Sequence, residues 1–366
     1  MQWMIYGANG YTGELIAREA VSRGLTPILA GRSESRLQPL AAGLGLSWRA
    51  FALDDPASVI AGLDGVDLVL HCAGPFSATS SPMIEGCLAV GAHYLDITGE
   101  IPVFEHARAQ HERALAAGVT LCPGVGFDVI PTDCVALRLK ELVPDATHLS
   151  LGFETASGLS PGTAKTVVEG LGNGCQIRRD GRIKDMPLAW GRRRIDFGQG
   201  PRRAMTIPWG DVSTAYSTTG IANIDTWVPL PAAAILGARL GNLVRPLLGS
   251  QWLQRQLKAL IDRKVKGPDA STRARLPTWV WGEARNAKGE GKVVRIRTAN
   301  GYSLTIDGAL AVTGYLLGQG SAHQESKGAS GYTPGYITGY TTPAALLGSG
   351  LITQLPGSGE FSVSDI

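Results

Sequence analysis

Three glycines, Gly7, Gly10 and Gly13, follow the apolar run Trp3–Tyr6 and open a helical pattern. In the stretch Gly7-Ala8-Asn9-Gly10-Tyr11-Thr12-Gly13, Gly10 would let the backbone approach a pyrophosphate, and Gly13 would let the helix pack on its strand. The amino end of that helix offers N–H groups and the positive end of its dipole to phosphate. The spacing reads either as G-x-G-x-x-G with Ala8 in the first place or as G-x-x-G-x-x-G. A tight strand–turn–helix junction without a ligand is the plainer alternative. The second strand pattern closes at Ala30-Gly31-Arg32-Ser33, without an acid. An acid there takes the ribose hydroxyls of NAD, whereas arginine suits the 2′-phosphate of NADP. Arg32 and Ser33 therefore point to NADP(H), against a merely solvated Arg32.

Ligands of an open α/β sheet bind at the carboxyl ends of its strands. Asp54 would reach the adenine end, and the turn Ala73-Gly74-Pro75-Phe76 would lie near the nicotinamide ribose. The candidate cofactor set is Gly7, Asn9, Gly10, Tyr11, Thr12, Gly13, Arg32, Ser33, Asp54, Ala73, Gly74, Pro75, Phe76, Thr98 and Gly99. A reduction also needs a proton source, which His, Tyr, Asp or Glu can supply. Tyr94, Asp96, Glu100 and Asp128 are the candidates, with His93 and Asp133 close by. Each could instead cap a helix, hold a turn or pair with an arginine. Five scattered cysteines without C-x-x-C spacing give neither a disulfide framework nor a metal site, and they suit a reducing compartment.

These residues must be positioned by alternating strands and helices. The strands read Trp3–Tyr6, Thr26–Ala30, Trp48–Leu53, Leu68–His71, Tyr94–Ile97 and Thr120–Pro123, a parallel α/β pattern. Pro56, Pro82, Pro102 and Pro131 suit first helical turns, with Asp55, Ser81 and Thr132 available for capping. After Pro144, strand signals follow one another: Leu149–Glu154, Trp279–Arg285, Val293–Thr298 and Tyr302–Ile306. Asp180-Gly181 and Asn300-Gly301 read as hairpin turns. Apolar pairs from Ile235 to Leu248 read as one or two helices broken by Pro246. Residues 318–335 read as an exposed loop, and Thr342-Pro343 starts a last helix with Leu346, Leu347, Leu351 and Ile352 on one face. The expected architecture is α/β: a Rossmann-type parallel-sheet domain (1–144 and 336–366) and an α+β second domain with a largely antiparallel sheet (145–335).

The 366 residues suit two domains, and a net charge of +3 points to neither nucleic acid nor an anionic membrane. A strand at Trp3 leaves no room for a signal peptide, and no apolar run is long enough to span a bilayer, so a cytoplasmic protein is expected. A homo-oligomer is also expected. Between Arg178 and Arg203 lie nine Lys or Arg and three Asp, including Arg192-Arg193-Arg194. This stretch is either a docking face for an acidic acyl carrier protein or a solvated surface. The helices near Ile235–Leu248 could line an acyl tunnel, touch a membrane or serve as ordinary core.

The sequence resembles the saccharopine dehydrogenase-like oxidoreductases. The likeness rests on Gly7–Gly13, Ala30–Ser33, Ala73–Phe76, Gly91-Ala92-His93-Tyr94-Leu95-Asp96-Ile97-Thr98-Gly99-Glu100 and Gly126-Phe127-Asp128-Val129-Ile130-Pro131-Thr132-Asp133. Gly162-Thr163-Ala164, Ile207-Pro208-Trp209-Gly210-Asp211, Trp281-Gly282-Glu283, Gly301-Tyr302 and Thr342-Pro343-Ala344-Ala345 look more like the trans-acting enoyl reductase branch. The resemblance implies reduction with NADPH and a C-terminal helix returning to the Rossmann domain. It implies an enoyl or acyl thioester-type substrate. A saccharopine dehydrogenase-type imine reductase is the alternative, though no clear arginine set for carboxylates stands out. A catalytically silent NADPH sensor is another.

Overall fold

A computed structural model describes residues 1–157, 164, 165, 168, 170, 172, 174–265, 269–318 and 337–366. Residues 319–335 of the loop expected at 318–335, and Gly162 and Thr163, lie outside the described residues. The chain divides into two compact units. The first holds Met1–Thr98, Pro102–Phe127 and Thr305–Leu346; the second holds Gly99–Ile101, Asp128–Leu304 and Leu347–Ile366.

The first unit is built on a parallel sheet. Its strands are β1 (Trp3–Tyr6), β2 (Ile28–Gly31), β3 (Trp48–Ala50), β4 (Leu68–His71), β5 (His93–Asp96) and β6 (Thr120–Cys122). The order is β6-β5-β4-β1-β2-β3, with Gly339–Tyr340 added beside β6. Every residue of β1, β2, β4 and β5 is buried, as strands covered by helices require. The order reverses between β1 and β4, which is where such sheets bind dinucleotides.

The second unit holds a mixed, mostly antiparallel sheet. Its strands are β7 (His148–Thr155), β8 (Cys175–Arg179), β9 (Arg182–Met186), β10 (Arg192–Asp196), β11 (Pro201–Ile207), β12 (Asn223–Pro229), β13 (Thr278–Arg285) and β14 (Gly291–Thr298). The path is β10-β11-β12-β7-β13-β14, closed by Ser362–Asp365 on β14; among the described residues only β12 and β7 pair in parallel. Asp180 and Gly181, both with positive φ, form the expected turn between β8 and β9. The helix Ile130–Leu142 packs on β13, β14 and β7, and the helix Asp211–Thr219 packs beside it. On another face of the sheet the Arg193 guanidinium lies 4.8 Å from the Trp227 ring and 4.9 Å from the Trp281 ring.

Several local expectations are corrected. Tyr302–Ile306 is no strand but part of the helix Gly301–Leu316. Asn300 does not turn a hairpin: its side-chain oxygen accepts from Tyr302 N at 3.1 Å and its carbonyl from Leu304 N at 2.9 Å. Asparagine favours helix starts for this reason. Leu304, Ala309, Val312 and Leu316 are buried, a helical repeat that the five-residue window could not show. Pro82 and Ser81 lie inside the helix Phe76–Val90, which begins after Pro75. Asp55 does cap its helix, but Thr132 instead bonds back to the Val129 carbonyl from within a first turn. The last helix is two, Pro343–Leu347 and Leu351–Gln354, parted at Gly348, which has φ +83°. Gly339–Tyr340 and Pro343–Leu346 belong to the first unit, and the residues beyond belong to the second.

Candidate functional site

The carboxyl end of β1 delivers the chain into Gly7, whose N–H and that of Ala8 both donate to Ala30 O, at 2.7 and 3.1 Å. Gly7 has φ +85°, and a Cβ there would sit 2.7 Å from Ala73 N. A Cβ on Gly13 would sit 2.3 Å from Gly7 O. Both positions therefore admit glycine alone. At Gly10 an added Cβ would meet only Gly7 O, at 3.2 Å, among the described residues, so that side of the loop is open. Gly10, at the N-cap of the helix Tyr11–Ser22, makes no side-chain capping bond. The amino end of this helix thus presents N–H groups at an open, glycine-lined loop, the cradle a pyrophosphate needs. These residues fit a dinucleotide.

The neighbouring strand ends supply the rest of this rim. Arg32 is exposed just beyond β2, followed by Ser33, which starts the helix Glu34–Leu44. A Cβ at Gly31 would lie 3.0 Å from Asn9 Oδ1, so Asn9 stands over the close of β2. Tyr6 reaches back to Phe51 O at 2.9 Å; burial pushes its hydroxyl up to about 12, with the charges of Arg32 and Asp54 acting in opposite directions. After β4, Ala73–Phe76 forms an accessible turn. Thr79 Oγ1 donates to Ala73 O at 2.6 Å and stands 3.0 Å from His71 Nε2. Burial drives His71 down to about 3, so the ring is neutral and its Nε2–H donates to Thr79. A surface cavity of about 530 Å³ lies elsewhere, at the amino ends of β1, β2 and β3, lined by Gln2, Thr26, Ser47 and Arg49 among others. It gathers no set of reactive groups.

Tyr94 and Asp96 at the end of β5 are fully buried. Asp96 accepts from Tyr94 OH at 2.7 Å, Thr98 N at 3.0 Å and Gly124 N at 2.8 Å. It thereby ties the end of β5 to the loop after β6. Burial and the adjoining Asp96 hold the Tyr94 hydroxyl well above its usual range. His93, at the other end of β5, accepts from Thr120 N at 2.9 Å through Nδ1 and is pushed down by burial.

The second unit holds a different set of acids. Asp128 is partly exposed, and a Cβ on Gly99 would lie 2.8 Å from its Oδ2. Burial and the charge of Glu100 raise the Asp128 carboxyl to about 7. Its main-chain carbonyl accepts from Trp209 Nε1 at 2.8 Å, and the Trp209 ring rests on Phe153. Asp133, fully buried, accepts from the Thr218 hydroxyl. Asp211 is fully buried, and neither carboxyl oxygen has a hydrogen-bond partner of normal geometry among the described residues. Burial, opposed by the nearby Thr132 hydroxyl and helped by Asp133 and Asp128, holds Asp211 well above the usual carboxylate range. Sequence reasoning did not assign Asp211 a role. Its only signal was the motif Ile207–Asp211.

The basic stretch does not form one face. Arg178 is buried, donating to Val212 O and Gly181 O at 2.7 Å; Arg179 pairs with Asp225, Arg193 with Glu283 and Arg202 with Glu154. Strand alternation separates Arg193 from the exposed Arg192 and Arg194.

Residues 3–122 match the family model of the saccharopine dehydrogenase NADP-binding domain. The human saccharopine dehydrogenase-like oxidoreductase is 28% identical over 214 residues, covering 50% of this chain and 50% of that one. The chain spans about half the length of such relatives, or less. The trans-acting enoyl reductase of Mycobacterium tuberculosis is 25% identical over 97% of this chain and 96% of its own. Apo saccharopine dehydrogenase (L-Glu forming) from Saccharomyces cerevisiae shares the fold, with a TM-score of 0.63 at 10% identity over 100% of this chain and 99% of that one. Residues 3–122 thus match a saccharopine dehydrogenase NADP-binding domain, and the chain is similar to saccharopine dehydrogenase-like oxidoreductases over half its length and to a trans-acting enoyl reductase over nearly all of it.

Proposed function

We propose that this protein is an NADPH-dependent reductase of an enoyl or related acyl thioester, with Asp128 as the proton donor. The observation that carries the reading is the open glycine loop at the amino end of the helix Tyr11–Ser22, with Arg32 and no acid at the close of β2. Gly7, Asn9, Gly10, Tyr11, Thr12 and Gly13 would hold the pyrophosphate, Arg32 and Ser33 the 2′-phosphate, and Asp54 the adenine end. Ala73, Gly74, Pro75, Phe76, Thr98 and Gly99 would line the nicotinamide end. Bound there, NADPH would supply a hydride for the substrate β-carbon, and Asp128 would supply the proton for the α-carbon. Asp128, raised to about 7, can hold that proton at neutral pH and release it. Gly99 leaves the space that its carboxyl occupies. Tyr94 and Asp96 serve instead to hold strand ends. Similarity to an enoyl reductase along nearly the whole chain supports the acyl substrate. A carrier-borne substrate would meet the exposed Arg192, Arg194 and Arg203.

The test is NADPH oxidation, followed by absorbance, with a panel of 2-enoyl thioesters and a panel of imines made from glutamate and aldehydes. Turnover of enoyl thioesters with NADPH preferred over NADH is expected. Turnover of imines alone would replace the substrate reading, and tight NADPH binding without turnover of either would make the protein a sensor.

A further inference from the structure

The helical run Ala232–Leu248 turns its apolar stripe outward. Its pieces Ala232–Gly241, Asn242–Val244 and Arg245–Leu248 follow one another without a loop. Ile235 is buried and packs with Ala189, Met205 and Ala238. Leu236, Leu240, Leu243 and Leu247, at helical spacing, are 56%, 56%, 82% and 59% exposed. The next helix, Gln251–Lys264, adds Trp252, 64% exposed. With Val244 and Leu260, these make seven of the thirteen large apolar side chains exposed among the described residues. A water-facing helix surface normally carries polar groups, so such a concentration marks a contact surface.

The charges around the stripe identify what it contacts. The segment carries Arg239, Arg245, Arg255, Lys258, Arg263 and Lys264 against Asp262 alone. A twofold contact between copies of this surface would set those cations against their own kind. An anionic bilayer supplies acyl chains for leucine and tryptophan and negative headgroups for the cations, the pairing that holds amphipathic helices in a membrane interface. No helix among the described residues is long and apolar enough to cross a membrane, so the segment would lie in the plane of the surface. We propose that Ala232–Lys264 is a docking surface for an anionic lipid bilayer, with Leu236, Leu240, Leu243, Leu247 and Trp252 inserted among the acyl chains. This inference does not depend on the proposed reaction.

The experiment is flotation of the full chain with vesicles of phosphatidylcholine alone or of equal parts phosphatidylcholine and phosphatidylglycerol. Binding to the anionic vesicles is expected, roughly ten-fold weaker with phosphatidylcholine alone and weakened by added salt. Leu240→Glu with Leu247→Glu should lose at least about ten-fold of that binding. NADPH affinity, unchanged in this variant, would confirm that it folds. Arg263→Glu with Lys264→Glu should remove the preference for anionic lipid. Absence of flotation with either vesicle overturns the proposal, as does equal flotation of wild type and the leucine variant. A wild-type dimer that does not float and that the leucine variant dissociates would assign the surface to a second copy instead. Retention by an acidic acyl carrier protein without flotation would assign it to a protein partner.

Discussion

Asp96 ends β5 and Asp128 follows the loop after β6, yet the two carboxyl groups are in opposite chemical situations. Asp96 is fully buried and receives three donors: Tyr94 OH, Thr98 N and Gly124 N. Such donors fix the carboxyl in place. Asp128 is raised to about 7, first by burial and then by the charge of Glu100. Asp211 extends the contrast, since it is as buried as Asp96, yet neither of its oxygens has a hydrogen-bond partner of normal geometry among the described residues. Burial alone therefore does not decide what an acid does. The donors around it decide whether it is a fastener or a group that can exchange a proton.

The largest effect should separate Asp128 from Asp96 in catalysis. Asp128→Asn keeps the shape but cannot release a proton, so kcat should fall about 10²- to 10⁴-fold while NADPH affinity holds. In wild type the protonated form is the active one, so the rate should fall as pH rises through about 7. That alkaline limb should vanish in the variant. A full rate in Asp128→Asn would remove the acid assignment.

Asp96→Ala should act on stability. It leaves a buried hydroxyl and two N–H groups without their acceptor, at a cost of about 2–4 kcal/mol measured by urea unfolding. Asp211→Asn should behave differently with pH. Because the folded form of Asp211 holds its proton well above the usual range, its contribution to stability is complete below about pH 4 and is lost as pH rises through the folded value. The variant should therefore gain on wild type as pH rises. Equal losses at all pH values for both variants would erase the contrast.

A smaller effect falls on the first unit. Arg32→Ala should weaken NADPH by roughly 10- to 100-fold, about 1.5–3 kcal/mol, and NADH little, in titrations at fixed salt. Adding Gly31→Asp should shift the preference toward NADH, but a Cβ there lies 3.0 Å from Asn9 Oδ1, so Asn9 must move. Equal weakening of both cofactors by Arg32→Ala would mean that the arginine shapes the loop.

The cofactor loop was legible because its chemistry is local: Gly7, Gly10 and Gly13 stand within one turn and announce their own geometry. The turn at Asp180-Gly181 was legible for the same reason. Asn300-Gly301 misled because the same pair can turn a hairpin or start a helix, and only the burial of Leu304 and Leu316 decides between them. The shift of Asp211 was not legible, because it comes from burial, with Thr132 and Asp133 acting on it, and the fold, not the local sequence, brings these together. The run Arg192–Arg194 read as one charge block, whereas strand alternation gives Arg193 to two tryptophans and leaves its neighbours exposed.

The smallest expected effect tests the cause of the Asp128 shift. Two influences raise that carboxyl: burial, the larger, and the charge of Glu100, the smaller. Glu100→Gln removes the second and leaves the first. A nearby negative charge disfavours ionisation, so its removal should let Asp128 ionise at lower pH. The alkaline limb of the rate should then move to lower pH but stay above the range of an ordinary carboxylate, because burial remains. At a pH below the limb, where Asp128 is protonated in both proteins, kcat should be nearly unchanged. Paired pH–rate profiles of wild type and Glu100→Gln measure this directly. A limb that moves to higher pH would mean that Glu100 does not act on Asp128 through its charge. A variant equally slow at every pH would make Glu100 itself a participant in the proton transfer.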